Sequence, residues 1–207
     1  MHIIKLVPVL LLLFGIASPS AAEAANPQIE IKTNLGSIVL ELYPDKAPKT
    51  VENFLRYVKD GYYAGTVFHR VIPRFMIQGG GLDKELRQKP ARPPIENEAA
   101  NGLKNDVGTV AMARTSDPHS ASSQFFINVA DNAFLNYKAP TPQGYGYTVF
   151  GKVIKGMDVV NRIATAPTGP GGPFPADVPR VRVVIEDARI ITAKSESGTD
   201  DSGGSKQ

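Results

Sequence analysis

Short β-rich runs, each closed off by Gly, Pro, Asn or Asp, recur along this chain with only two helical segments among them. Ile29 to Thr33 and Ser37 to Tyr43 alternate apolar and polar residues around Asn34-Leu35-Gly36, a tight-turn sequence, and read as a hairpin. Further runs span Thr66 to Val71, Phe75 to Gln78, Gly108 to Ala113, Gln124 to Val129, Thr148 to Val153 and Val181 to Ile191. From Ala47 to Lys59, Val51, Phe54, Leu55 and Val58 follow helical spacing, with Pro48 near the start and Gly61 past the end. Met157 to Ala164 is a second helix by the same criterion. A doubly wound sheet needs a helix between successive strands. The pattern therefore predicts a mainly β fold, a closed eight-stranded antiparallel barrel capped by two α-helices.

The ends carry different signals. Met1 to Ala24 has Lys5, an apolar run from Leu6 to Ile16 and a small-residue stretch ending Ala22-Glu23-Ala24, which predicts a signal peptide cleaved after Ala24. That run is too short to span a bilayer as a helix, so no membrane span is expected after cleavage. Lys194 to Gln207 is Ser- and Gly-rich without aromatic or branched apolar residues and is expected to be a disordered tail. The chain thus divides into 1–24, a domain at 25–193 and a tail at 194–207. Within the domain, Ala166 to Pro179 is dense in Gly and Pro and reads as an ordered surface loop.

Composition narrows the function. The net charge of +3 comes from interspersed rather than clustered basic residues, which argues against nucleic acid as a partner. The absence of Cys removes disulfides, thiolate nucleophiles and Cys-based metal sites. His69 and His119 are the only histidines after the signal segment, and neither sits in a metal-binding spacing, so no metal is expected. Asp117-Pro118-His119-Ser120 contains the residue types of a hydrolase triad, but as chain neighbours they read as a turn. Gly79-Gly80-Gly81 and Gly144-Tyr145-Gly146 lack the remainder of a phosphate or dinucleotide loop, so no cofactor is expected.

Two segments stand apart. Phe68-His69-Arg70-Val71-Ile72-Pro73-Arg74-Phe75-Met76-Ile77-Gln78-Gly79-Gly80 sets a cation and an amide among aromatic and sulfur side chains. Strand periodicity puts Phe68 and Arg70 on one face. From this segment alone, a solvated arginine is the simpler reading. Ser122-Ser123-Gln124-Phe125-Phe126-Ile127-Asn128 again sets an amide beside paired aromatics.

Through these two runs the sequence resembles the cyclophilin family of peptidyl-prolyl isomerases, from about Ile29 to Ile191. With the signal segment it is similar to exported bacterial members. The resemblance implies that Arg70 is the catalytic cation and that Phe75, Met76, Phe126 and Leu135 form a proline pocket, with Gln78 and Gln124 as its polar lining. Ala113 and Arg114 match the stretch with which the family holds the substrate backbone, although Arg114 replaces a common Asn. Phe134 stands where many members carry a Trp that helps bind cyclosporin, and Tyr147 where many carry a His; both remain aromatic and substrate-facing by the resemblance. The implied substrates are proline-containing polypeptides, with a monomer acting in the periplasm, or secreted, to assist folding of envelope proteins. The rival reading is a chaperone module that binds proline segments without catalysis, for which aromatic walls alone suffice.

Overall fold

The structure, a computed structural model, describes residues 25–191. The segments expected to be a signal peptide and a disordered tail lie outside the described residues. The element order is β1 (Gln28–Thr33), β2 (Gly36–Leu42), α1 (Pro48–Lys59), β3 (Phe68–Ile72), β4 (Met76–Gly79), β5 (Thr109–Met112), β6 (Phe125–Asn128), β7 (Val149–Lys155), α2 (Met157–Ala164), β8 (Thr168–Gly171), β9 (Phe174–Pro179) and β10 (Ile185–Ile191). Eight of the strands form one antiparallel sheet in the order β10-β1-β2-β7-β5-β6-β4-β3.

The curled sheet is joined at its ends by a short seam. Val67 and Val184 form an isolated bridge. Beside it, Phe68 N–H donates to Val183 O at 2.9 Å, Gly65 N–H to Ile185 O at 2.8 Å and Ile185 N–H to Thr66 O at 2.8 Å. The runs expected to begin strands at Thr66 and Val181 therefore supply this seam first and enter their ladders later, at Phe68 and Ile185.

Alternation along the strands separates two apolar layers. Ile77, Val110, Met112, Phe125, Ile127 and Phe150 point inward, where both helices add their apolar faces, including Phe54 and Val58 of α1 and Val160 and Ile163 of α2. Met76, Ala111, Phe126 and Val149 point outward into a separate cluster. Every residue of β6 is therefore buried, Phe125 and Ile127 inside the sheet and Phe126 behind it.

Helix α1 has no side-chain cap of its own at Ala47. Glu98, far along the chain, supplies one: its carboxylate accepts the Lys49 N–H at 3.1 Å and the Thr50 N–H at 2.8 Å. This satisfies orphan donors and sets a negative charge at the positive end of the helix dipole.

Two expectations are corrected. Phe68 and Arg70 do not share a face: Phe68 is in the inner cluster and Arg70 is exposed. The cause is a bulge, since Phe68 pairs with Gly79 and Arg70 with the very next residue, Gln78, leaving His69 as an extra residue that reverses the alternation. Nor is 166–179 merely a loop. Strands β8 and β9 form a separate hairpin, turned at Gly172 with φ +52°. Gly169 pairs with Val178 and Gly171 with Phe174, so Pro175, Ala176 and Asp177 bulge opposite Pro170. Neither proline has an N–H for the ladder, which favours a bulge at this point.

Candidate active site

The outward layer forms the floor of the site. Arg70 on β3 pairs with Gln78 on β4, Gln78 with Phe126 on β6, and Phe126 with Ala111 on β5, so these side chains line up across four strands. The bulge at His69 is what turns the guanidinium to this side. Above the row lies a cavity of about 510 Å³. Arg70, Phe75, Met76, Gln78, Ala113, Arg114, Gln124, Phe126, Leu135 and Tyr147, all expected at the site, line it. Phe134 does not: it is 64% exposed and stacks on Phe75 at 5.6 Å, outside the lining.

The polar groups are held in place. Gln78 Nε2 donates to Gln124 Oε1 at 2.9 Å. A Cβ at Gly81 would come within 2.3 Å of Gln124 Cγ, so glycine there makes room for this pair. The Arg114 guanidinium lies 4.6 Å from the Tyr147 ring centre, and its Nε donates to Gly146 O at 2.8 Å. Tyr147 in turn meets Phe126 edge-on at 5.7 Å. Arg114 thus braces one wall through the loop that carries Tyr147. Arg70 has a looser partner, with Nε 3.9 Å from Asp177 Oδ2 on the hairpin and both side chains near half exposed.

Sequence reasoning missed a buried amide chain beneath the pocket. Asn132 Nδ2 donates to Phe75 O at 2.9 Å and to Asn128 Oδ1 at 2.7 Å. Asn128 Nδ2 donates to Asn105 Oδ1 at 3.2 Å, and Asn105 Nδ2 donates to Leu135 O, also at 3.2 Å. The backbones of two pocket residues are therefore tied together by side chains that never face the ligand space. Asn128 and Asn132 are four residues apart, but the link to Asn105 spans 23 residues, and a lone Asn in the sequence carries no sign of it. The lining also includes His69, Leu82, Leu86, Gln88, Pro173 and Phe174, of which only His69 lay in one of the two segments that carried the family resemblance.

His69 is 4% exposed, and its Nδ1 has no hydrogen-bond partner. Burial holds its pKa down to about 4, helped by the neighbouring Arg70 charge and partly offset by the Val67 backbone. A base with a depressed folded pKa stabilises the fold fully above the unfolded value of 6.5 and loses that contribution as pH falls toward about 4. The loss expected across that window is about 3 kcal/mol. Urea unfolding at pH 7 and pH 4.5 measures it, and His69→Gln is expected to flatten the difference. An equal pH slope in the variant would assign the acid sensitivity to other groups.

The Asp117-His119-Ser120 segment is a turn, as expected. Ser120 Oγ accepts the Thr115 N–H at 2.9 Å and donates to Asp117 O at 2.7 Å, while His119 Nδ1 accepts the Asn97 N–H at 3.1 Å. His119 therefore has no hydrogen bond to Ser120 with which to activate it as a nucleophile.

The curled antiparallel β-sheet with its two helices agrees with the comparisons to known proteins. The family pattern described as cyclophilin type peptidyl-prolyl cis-trans isomerase/CLD matches residues 28–190. Peptidyl-prolyl cis-trans isomerase cyp18 of Streptomyces antibioticus is 59% identical over 79% of this chain and 98% of its own length. Peptidyl-prolyl cis-trans isomerase B of Escherichia coli is 53% identical over 78% of this chain and 98% of its own. The crystal structure of a cyclophilin type peptidyl-prolyl cis-trans isomerase from Cryptosporidium parvum superposes with a TM-score of 0.66 at 29% identity, covering 82% of this chain and 99% of that one. The chain belongs to the cyclophilin family. It is a peptidyl-prolyl cis-trans isomerase, acting on proline-containing peptides.

Proposed function

We propose that Arg70 is the catalytic group of this isomerase and that Phe75, Met76, Phe126 and Leu135 seat the prolyl ring. The observation that carries this reading is a guanidinium at the edge of an apolar cavity, in register with Gln78 and Phe126. Rotation about the X-Pro amide faces a barrier of about 18–20 kcal/mol because resonance is lost as the bond twists. No bond is broken, so the enzyme needs only to bind the twisted amide better than either planar form. As resonance fades, the prolyl nitrogen gains a localised lone pair, which a permanently charged donor stabilises. An acceleration of about 10^5 needs roughly 7 kcal/mol, more than one hydrogen bond supplies. The remaining stabilisation comes from clamping the ring in the apolar lining while Gln78, Gln124 and the Ala113–Arg114 backbone hold the carbonyl side.

The composition of the N-terminal segment supports a site of action outside the cytoplasm. We place the mature enzyme in the periplasm as a monomer, assisting folding of envelope polypeptides after cleavage at Ala24. Among the described residues no helix is long and apolar enough to cross a membrane. Fractionation of producing cells, with intact-mass measurement of the recovered protein and an X-Pro conversion assay on each fraction, tests this. A mass beginning at Ala25 and activity in the periplasmic extract are expected. Full-length protein confined to the cytoplasm would overturn export. A periplasmic protein that binds proline peptides without speeding their conversion would favour the chaperone module.

A further inference from the structure

The cavity has two apolar walls, and the prolyl ring needs only one. Phe75, Met76, Phe126 and Leu135 lie with the outward layer of the sheet. Leu82, Leu86 and Phe174 belong to a different cluster, packed on Val67 and Val178, and Pro173 adds to the same side. The sheet order sets what lies between them. The sequence β5-β6-β4-β3 ends at the edge strand carrying Arg70, and β9 packs beside β3. Arg70 and Gln78 therefore stand as a polar divide between two apolar lobes of one cavity. Its volume of about 510 Å³ lies within the roughly 300–1,000 Å³ of sites for drug-sized ligands and far exceeds the needs of one pyrrolidine ring.

The second lobe is built rather than incidental. Leu86 adopts φ +63°, a conformation that branched side chains rarely take and that tends to persist at ligand-facing positions. Asp83 holds it there: its carboxylate accepts the Glu85 and Arg87 N–H groups, and its carbonyl accepts the Leu86 N–H. Leu86 also rests against the hairpin turn, where a Cβ on Gly172 would meet its Cδ1 at 3.0 Å. Arg182 anchors the hairpin by donating to Pro179 O and Lys84 O, both at 3.1 Å. Phe174 lies against the His69 ring at 5.6 Å, and burial favours the uncharged form of that ring.

We propose that this lobe is a second subsite that takes one bulky apolar side chain, such as Leu or Phe, from a substrate residue flanking the X-Pro pair. The inference rests on the isomerase reading of the same cavity. A chain seated with its proline in the first lobe crosses Arg70 and Gln78 and presents its next large side chain to Leu82, Leu86 and Phe174. The enzyme then selects prolines in apolar stretches, which unfolded polypeptides expose and folded ones bury.

The test is kcat/KM on peptides sharing one Ala-Pro unit, with Leu, Phe, Ser or Glu at each flanking position in turn. The protein with its intact hairpin is expected to favour Leu and Phe over Ser by about tenfold at one flanking position, the scale of burying one such side chain. Phe174→Ser is expected to bring that ratio within about twofold, and Phe174→Leu to retain it. Pro173→Asp, at the exposed turn, reads the same lobe if Phe174→Ser fails to fold. Equal turnover of Leu and Ser peptides, or a preference for Glu, overturns the subsite and leaves the isomerase intact. A ratio unchanged in Phe174→Ser and Pro173→Asp overturns it as well. No turnover of any peptide overturns both readings.

Discussion

Arg70→Ala is expected to lower kcat/KM for X-Pro isomerisation by about 10^2- to 10^3-fold, the usual consequence of removing one donor aimed at developing charge. The fold is expected to survive, because Arg70 is exposed and its partner Asp177 is 3.9 Å away and near half exposed. Such pairs contribute about 0–1 kcal/mol. Arg70→Lys restores the charge without the planar fork of donors and is expected to recover only part of the loss. Circular dichroism and a peptide conversion assay on both variants provide the measurement. Activity of folded Arg70→Ala within threefold of the parent would remove Arg70 from the mechanism.

Phe54→Ala is the change expected to cost the fold most. Its ring lies at the centre of the inner layer, 5.1 Å from Tyr63, 5.2 Å from Phe150 and edge-on to Phe125 at 5.5 Å. It is fully buried and joins α1 to strands from both halves of the sheet. Truncation leaves a cavity bounded by large rings that collapse poorly, with an expected loss of about 3–5 kcal/mol. Against a typical total of about 5–15 kcal/mol, this brings the protein near its unfolding threshold. Urea unfolding checks the value. A loss below about 1 kcal/mol would mean that the neighbouring rings close over the gap. The folded fraction should retain near-parental kcat/KM, since Phe54 does not line the cavity.

What could be read from the sequence was local. Alternation and helical spacing found the eight main strands and both helices, with α2 at Met157–Ala164 as expected, because each segment's apolar side is printed in a few consecutive residues. The grouping of Phe75, Met76, Phe126 and Leu135 came from the family resemblance, and the structure brings them to one cavity. Single residues that break a period were lost. His69 reverses the facing of β3 through a bulge that no composition signals. Glu98 caps a helix some fifty residues earlier, and Asn105 reaches Asn128 only after folding. The hairpin at 168–179 was read as loop because Gly and Pro normally break strands, yet a turn at Gly172 and a bulge at Pro175 let it pair.

The back-to-back arrangement of the two layers has an evolutionary consequence. Residues of the inner core and residues that line the cavity alternate along the same strands but belong to separate clusters. Substitution on the outward face leaves no hole in the interior, so a lineage can change its clientele one residue at a time without approaching collapse. An enzyme whose substrate sits within its own hydrophobic centre lacks that freedom. On this architecture, divergence is expected to concentrate in the hairpin and the Tyr147 loop, where a changed preference endangers the scaffold least.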